Sequence, residues 1–289
     1  MKHKTAILLI ICLVVSAIGI VFFNLRPENR LPPDGLYFIE HKSYLAFQES
    51  DEKIIPLNAC FVNKNISKNR ELILEYSNLS LVTDEGLNYY FLLSDKEKDI
   101  FMGIQDGEQY TDRFIEQMLI IDASNWVTNM QVPICFTSFN YIDDKGESIT
   151  KNIGRIEIES VLEPTGAVAV LSQRLEWTNS ILPTFATVDY AIENKTNSNL
   201  VVGNLFFGSI EINLAPSSFS LEPMQYKEVS ADVILNNEAE GAPAVYIMKP
   251  KFNAIFDGNE QFHTVSNISI EKYVPEGVSL SEYFYKNKT

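Results

Sequence analysis

Histidine, the side chain most often used for acid–base catalysis and zinc binding, is scarce in this chain. Beyond His3, only His41 and His263 occur, and they lie far apart in the sequence. A zinc site needs several clustered ligands, and a serine triad needs a histidine placed beside its nucleophile. Neither pattern surrounds either histidine, so we expect no enzyme and no cofactor. A hydrolase that uses a pair of carboxylates needs no histidine and stays as an alternative.

Two cysteines lie well beyond the apolar N-terminal run, Cys60 and Cys135, and both belong to the first half of the chain. A disulfide that joins an early strand to a late strand is common in two-sheet β-sandwiches. Such a bond contributes about 2–4 kcal/mol by closing a long loop. Two buried thiols are the other interpretation of the same pair, and the sequence leaves both open.

Two short phrases combine acidic residues with glycine in the same order, FNYIDDKGE at 139–147 and FNAIFDGNE at 252–260. Their oxygen-bearing side chains would suit calcium, although the spacing does not match an EF-hand loop. The calcium candidates are Asp143, Asp144, Glu147, Asp257 and Glu260. Asp and Gly also favour tight hairpin turns, and this is the interpretation that we prefer, with no metal site.

The two phrases close a longer repeat. They match at an offset of 113, and earlier matches keep the same order: Gln109–Tyr110 with Gln225–Tyr226, and Phe61–Lys64 with Ile192–Lys195. Alternating segments separated by polar turns predict an all-β fold. The strand spacing and the duplication indicate two tandem immunoglobulin-like β-sandwich domains, which we place at residues 34–163 and 164–289. We expect Ser281–Tyr285, at the end of the second, to form a last strand or a loose tail.

The first copy contains about fifteen residues that the second lacks, within an insert at residues 81–106. Adjacent residues on a strand face opposite sides, so at least one of three consecutive aromatics should point outward if the strand is half-buried. Exposed aromatic rings bind sugars or protein partners, whereas buried ones belong to the core. The insert is therefore our predicted partner-binding site. Its candidate residues are Tyr89, Tyr90, Phe91, Lys96, Lys98 and Phe101.

The N-terminus starts with a short basic segment followed by 18 apolar residues, from Ala6 to Phe23. This length suits a membrane-spanning helix, and the basic start predicts that its N-terminal end stays in the cytoplasm. We interpret residues 1–24 as a cytoplasmic start with an uncleaved transmembrane signal anchor, and residues 25–33 as a stalk. A signal peptide cleaved after Ala17 is the alternative.

The charge of the chain narrows the classes of partner. A formal net charge of -15 repels nucleic acid, and it fits a solvated exterior. With a composition typical of a bacterial protein, we predict a cell-membrane protein, single-pass, with its bulk outside the cytoplasm. The expected role is binding, adhesion or scaffolding, with a protein or a cell-surface glycan as partner. A purely structural surface stalk and a carboxylate-based cell-wall hydrolase are the alternatives.

Overall fold

A computed structural model describes residues 16, 32–62, 76–91, 114–127, 133–162, 168–177, 186–208, 212–215, 218–235, 243–264, 269–274, 278 and 280–286. Within these residues the chain is mostly β, as the sequence predicted. No helix among them is long and apolar enough to cross a membrane. The predicted anchor at residues 6–23 lies outside the described residues except for residue 16.

The described part of the first half, residues 34–163, has eight strands and one short helix. The strands are β1 Gly35–Phe38, β2 Glu40–Phe47, β3 Ile54–Val62, β4 Ser77–Thr83, β5 Asn88–Tyr90, β6 Phe114–Asp122, β7 Ile134–Ile142 and β8 Ser148–Ser160. Helix α1 covers Ser124–Val127.

The described part of the second half, residues 164–289, has ten strands and a C-terminal helix. The strands are β9 Val168–Trp177, β10 Ala186–Asn194, β11 Leu200–Phe206, β12 Ile212–Ala215, β13 Phe219–Leu221, β14 Tyr226–Leu235, β15 Ala244–Lys249, β16 Lys251–Phe256, β17 Asn259–Thr264 and β18 Ser269–Tyr273. Helix α2 covers Leu280–Lys286, so the predicted last strand or loose tail at Ser281–Tyr285 is wrong.

The strands form four sheets with related orders. The sheet β1-β3-β6 in the first half corresponds to β9-β10-β14-β12 in the second. The strands β8-β7-β4-β5 correspond in the same way to β17-β16-β11-β13. The repeat in the sequence is therefore also a repeat in strand order.

Strand register repeats as well. The equivalent Cα pairs are Ile134–Ile158 with Ile247–Ile270, and Asn140–Thr150 with Asn253–Phe262. In both comparisons, the first residue of the pair differs by 113 positions between the copies, and the second residue differs by 112. The two copies therefore share one pairing pattern. In β7–β8 this pattern includes a shift between Phe136 and Ser138. The shift falls where the second copy divides into β15 and β16, because β15 joins a different sheet.

One sheet crosses the predicted boundary between the halves. Strand β15 pairs in parallel with β2, which pairs in parallel with β8, and β18 pairs with β15. The resulting seven-stranded sheet has the order β18-β15-β2-β8-β7-β4-β5. The predicted domain boundary at residue 164 assigns every later strand to a separate second domain. The hydrogen bonds instead place β15 and β18 in the sheet of the first half.

The two parallel strands at this junction face two cores. Along β2, Leu45 and Phe47 pack into the first core, and Tyr44 and Ala46 pack into the second. Along β15, alternate residues divide between the two cores in the same way. A strand buried on both faces needs apolar residues at consecutive positions. This requirement explains the uninterrupted runs YLAF in β2 and AVYIM in β15.

Helix α2 returns to the start of the fold. Phe284 is buried in the first core, and its ring lies 5.4 Å from the ring of Tyr37 in β1. Leu280 and Tyr283 pack against the same core. The last described helix of the chain therefore completes the hydrophobic core of the first half.

Candidate functional site

The predicted aromatic triplet lies on and directly after the edge strand β5, and its side chains alternate as expected. Tyr89 makes edge-to-face contacts with Trp126 at 5.5 Å and with Phe136 at 5.2 Å. Phe91 is buried and makes a similar contact with Phe139 at 5.9 Å. Tyr90 points outward with 65% of its surface exposed. Half-buried Tyr89 and buried Phe91 anchor the strand on both sides of Tyr90.

Uncharged polar side chains lie next to Tyr90 on this face. Ser80 pairs with Tyr90 across the two strands, and its Oγ donates a hydrogen bond to Asn88 Oδ1 at 3.2 Å. The Nδ2 group of Asn140 donates to the same Oδ1 at 3.0 Å. Among the described residues, Asn140 Oδ1 is buried and accepts no hydrogen bond. Ser80 is fully buried, so we name only Tyr90, Asn88 and Asn140 the Tyr90 face; it offers an aromatic ring and amides.

The rest of the predicted partner-binding site cannot be placed beside Tyr90. Lys96, Lys98 and Phe101 lie outside the described residues, as does the remainder of the insert from 92 to 106. Phe91 is buried and Tyr89 is half-buried against the core, so of the described candidates Tyr90 is the most exposed.

The two acidic phrases form hairpin turns. The Asp143 carboxylate accepts hydrogen bonds from the backbone N–H groups of Lys145 at 2.9 Å and Glu147 at 2.8 Å. In the second turn Asp257 and Gly258 have φ values of 48° and 77°, the pattern of a type I′ turn. Of the remaining calcium candidates, Asp144 is exposed, and Glu260 accepts a hydrogen bond from Asn253 at 2.7 Å. No group of three or more His, Cys, Asp or Glu in the described part of the chain is placed to hold a metal.

The proposed disulfide is absent. Cys60 and Cys135 both carry thiols, Cys60 buried in β3 and Cys135 half-buried in β7 on another sheet. Burial raises the pKa of the Cys135 thiol. In this structure the pair is therefore two thiols, of which only Cys60 is fully buried.

A polar network that the sequence did not indicate joins the halves. The Oδ2 atom of Asp51, in the turn after β2, accepts from Lys249 Nζ at 2.9 Å, from Thr264 Oγ1 at 2.9 Å and from the Gln48 backbone at 2.7 Å. Lys249 is only 2% exposed. Burial lowers its pKa, and the Asp51 carboxylate acts in the opposite direction. No spacing signal could have identified this pair, because 198 positions separate its members.

A second pair lies along the same junction. Lys251 Nζ forms an ion pair with Glu159 in β8, and Tyr44 donates to the other Glu159 oxygen at 2.6 Å. Burial and the Glu159 carboxylate raise the pKa of the Tyr44 hydroxyl. These contacts pair each charged group with a partner of opposite charge or a hydrogen-bond donor, as partly buried charges require. We infer that this cluster holds the halves together rather than binding a ligand.

His41 links two sheets inside the first half. Its Nε2 atom accepts from the Asn58 backbone at 3.1 Å, and Nδ1 lies 3.1 Å from the Ile153 carbonyl. The histidine is therefore neutral, with its proton on Nδ1. Complete burial lowers the pKa of His41 to about 4. The backbone of Gly154 approaches His41 closely with a φ of 83°, so a side chain at this position would collide with it.

We predict that acid weakens the fold through His41. The unfolded histidine binds a proton near pH 6.5 and the folded one only near 4, so its contribution is complete above 6.5 and decreases as the pH falls through this window. The loss should approach about 3 kcal/mol near pH 4. Urea unfolding of the wild type and His41→Gln between pH 4 and 7 measures it. The free energy of unfolding of the variant should depend less on pH than that of the wild type. An equal dependence on pH in both proteins would contradict the role of His41.

Comparison with known proteins includes a weak similarity to a solved structure. No protein-family model matches the chain, and no curated protein matches it. A solved chain from a study described as "Chaperone-tip adhesin complex is vital for synergistic activation of CFA/I fimbriae biogenesis" is 10% identical. The match covers 84% of this chain and 98% of that chain, with a TM-score of 0.18. A similarity at this score carries no argument about fold or function.

Proposed function

We propose that this protein is a non-catalytic, extracytoplasmic binding protein that is anchored in the cell membrane by its N-terminal segment and acts in adhesion or scaffolding. The observation that carries the proposal is the outward, rigidly supported ring of Tyr90. The basic start and the 18-residue apolar run support the anchor, and no second run of that length follows. We retain the immunoglobulin-like description of each half as part of the proposal, with one sheet shared between them.

The Tyr90 face has the chemistry of a contact for an uncharged polar ligand. Its ring provides an apolar surface with a polar tip, and Asn88 and Asn140 add amide groups without a formal charge. In a chain of net charge -15, such a neutral face suits a cell-surface glycan, the partner that we favour.

Binding to isolated cell-envelope glycan tests this proposal, with full-length wild type, Tyr90→Ser and Leu162→Ser compared. Leu162 is 92% exposed and lies in the segment after β8, so it controls for loss of an exposed apolar side chain. Tyr90→Ser should bind about tenfold more weakly, the effect of losing about 1.4 kcal/mol, and Leu162→Ser should bind normally. Equal binding by all three proteins, or no binding by any of them, would refute the glycan contact. Cleavage of the glycan would favour the hydrolase.

Protease treatment of intact cells tests the location. With the bulk of the chain outside the cytoplasm, protease added outside should degrade it while a cytoplasmic marker survives. Protection of the chain in intact cells, with digestion only after lysis, would refute the proposed orientation.

A further inference from the structure

The turn between β13 and β14 has an unusual backbone for its sequence. Gln225 N–H donates to the Glu222 carbonyl at 3.1 Å, which closes a four-residue turn around Pro223 and Met224. Met224 has a φ of 57°, in the left-handed region that a type II turn requires at this position. Glycine or asparagine normally occupies such a position, because a larger side chain strains it. The chain therefore tolerates strain to place a methionine here.

Hydrogen bonds hold this turn in one conformation. The Gln225 side chain accepts from the Glu222 N–H at 2.7 Å. Asn194, which is fully buried, donates by Nδ2 to the Glu222 carbonyl at 3.0 Å and by its backbone to the Gln225 carbonyl at 2.9 Å. These hydrogen bonds fix the turn to the end of β10, so Met224 is held in one backbone conformation before any partner binds.

Two large side chains in and directly after this turn are exposed. Met224 is 63% exposed, and Tyr226, the first residue of β14, is 48% exposed. Leu221, just before the turn, is buried, so the exposed side chains belong to the turn itself and to the start of β14. An exposed methionine and tyrosine on one turn offer apolar area of the kind that protein interfaces use.

We propose that the turn Glu222–Tyr226 is a protein-docking tip, which inserts Met224 and Tyr226 into an apolar pocket of a partner protein. Methionine and tyrosine supply large apolar area, and a rigid loop loses little conformational entropy on binding. Glu222 and Glu228 flank the pair, and Tyr226 donates to Glu228 at 2.6 Å. The partner pocket is therefore rimmed by basic side chains. This contact is separate from the Tyr90 face and does not depend on the glycan.

Site-specific crosslinking in intact cells tests the tip in the full-length chain. A photoreactive benzoyl-phenylalanine replaces Tyr226, with the same residue at Leu162 as the control position. We expect one discrete protein adduct from position 226 that position 162 does not form, and at least a tenfold lower yield when Met224→Gly is added. The adduct should persist in the Tyr90→Ser background. Matching patterns at both positions, no adduct, a lipid adduct or a yield unaffected by Met224→Gly would each overturn the proposal.

Purified components then separate docking from folding. Met224→Gly relieves the strain at a φ of 57°, so its melting temperature should be no lower than that of the wild type. The crosslinked protein, once isolated, should bind the wild type at least tenfold more tightly than Met224→Gly, with an affinity that falls as salt increases. Affinity that is independent of salt would overturn the basic rim, and an adduct of twice the chain mass would identify a second copy instead.

Discussion

Replacing Phe284 by alanine should destabilise the entire protein by about 3–5 kcal/mol, the usual cost of removing a fully buried phenylalanine. Its ring is 1% exposed and packs on Tyr37, at the other end of the described chain. The mutation therefore removes packing from the core of the first half, although it lies in the last described helix. Urea unfolding followed by tryptophan fluorescence measures it, since Trp126 packs against the first core.

Lys286→Ala is the matched control, because Lys286 lies in the same helix and is exposed. It should change the free energy of unfolding by no more than about 0.5 kcal/mol. A chain that ends at residue 274 should show the same defect as Phe284→Ala, or a larger one. If the shortened chain unfolds like the wild type, α2 does not complete the first core.

Replacing Lys249 by methionine should cost up to about 3–5 kcal/mol, because it leaves the Asp51 carboxylate, only 15% exposed, without its charged partner. Asp51 would keep its hydrogen bonds from Gln48 and Thr264, which two neutral donors provide. The expected result is one cooperative transition at lower urea, measured by fluorescence and by circular dichroism. Because the pair joins β15 to the turn after β2, both halves should lose stability together.

A second substitution separates charge from packing. In the double variant Asp51→Leu and Lys249→Met no charge remains buried, so part of the stability should return, as when apolar groups replace other buried ion pairs. The exposed Lys145→Met serves as the surface control, with a change near zero. Two separate transitions in Lys249→Met would show that the halves unfold independently, and a double variant no better than the single one would contradict the role of the unpaired charge.

Local patterns predicted much of the secondary structure. Alternating segments and polar turns predicted the all-β fold, and the repeated acidic phrases identified hairpins that share a register. The alternation rule also predicted that at least one of the three aromatics points outward, and Tyr90 does, between half-buried Tyr89 and buried Phe91. These features depend on residues near one another in the chain, where the side-chain period of a strand is enough to decide which face is buried.

Local patterns did not predict three other features: the packing of helix α2, the state of the cysteines and the turn at Met224. Helix α2 is only seven residues long, too short for a clear helical period, and its burial depends on packing against β1. The Cys60 and Cys135 spacing suited either a disulfide or two thiols, and only the relative position of two sheets decided between them. The turn at Met224 carries no glycine, the usual signal for its backbone.

By itself, the sequence determined that this protein is all-β, that its hairpin is duplicated, and where its apolar and acidic segments lie. Only the tertiary structure decided that β15 leaves its own copy to pair in parallel with β2, and that Asp51 meets Lys249. The reason is physical: strand period and turn chemistry are local, whereas edge pairing and ion pairing depend on which surfaces meet after the chain has folded.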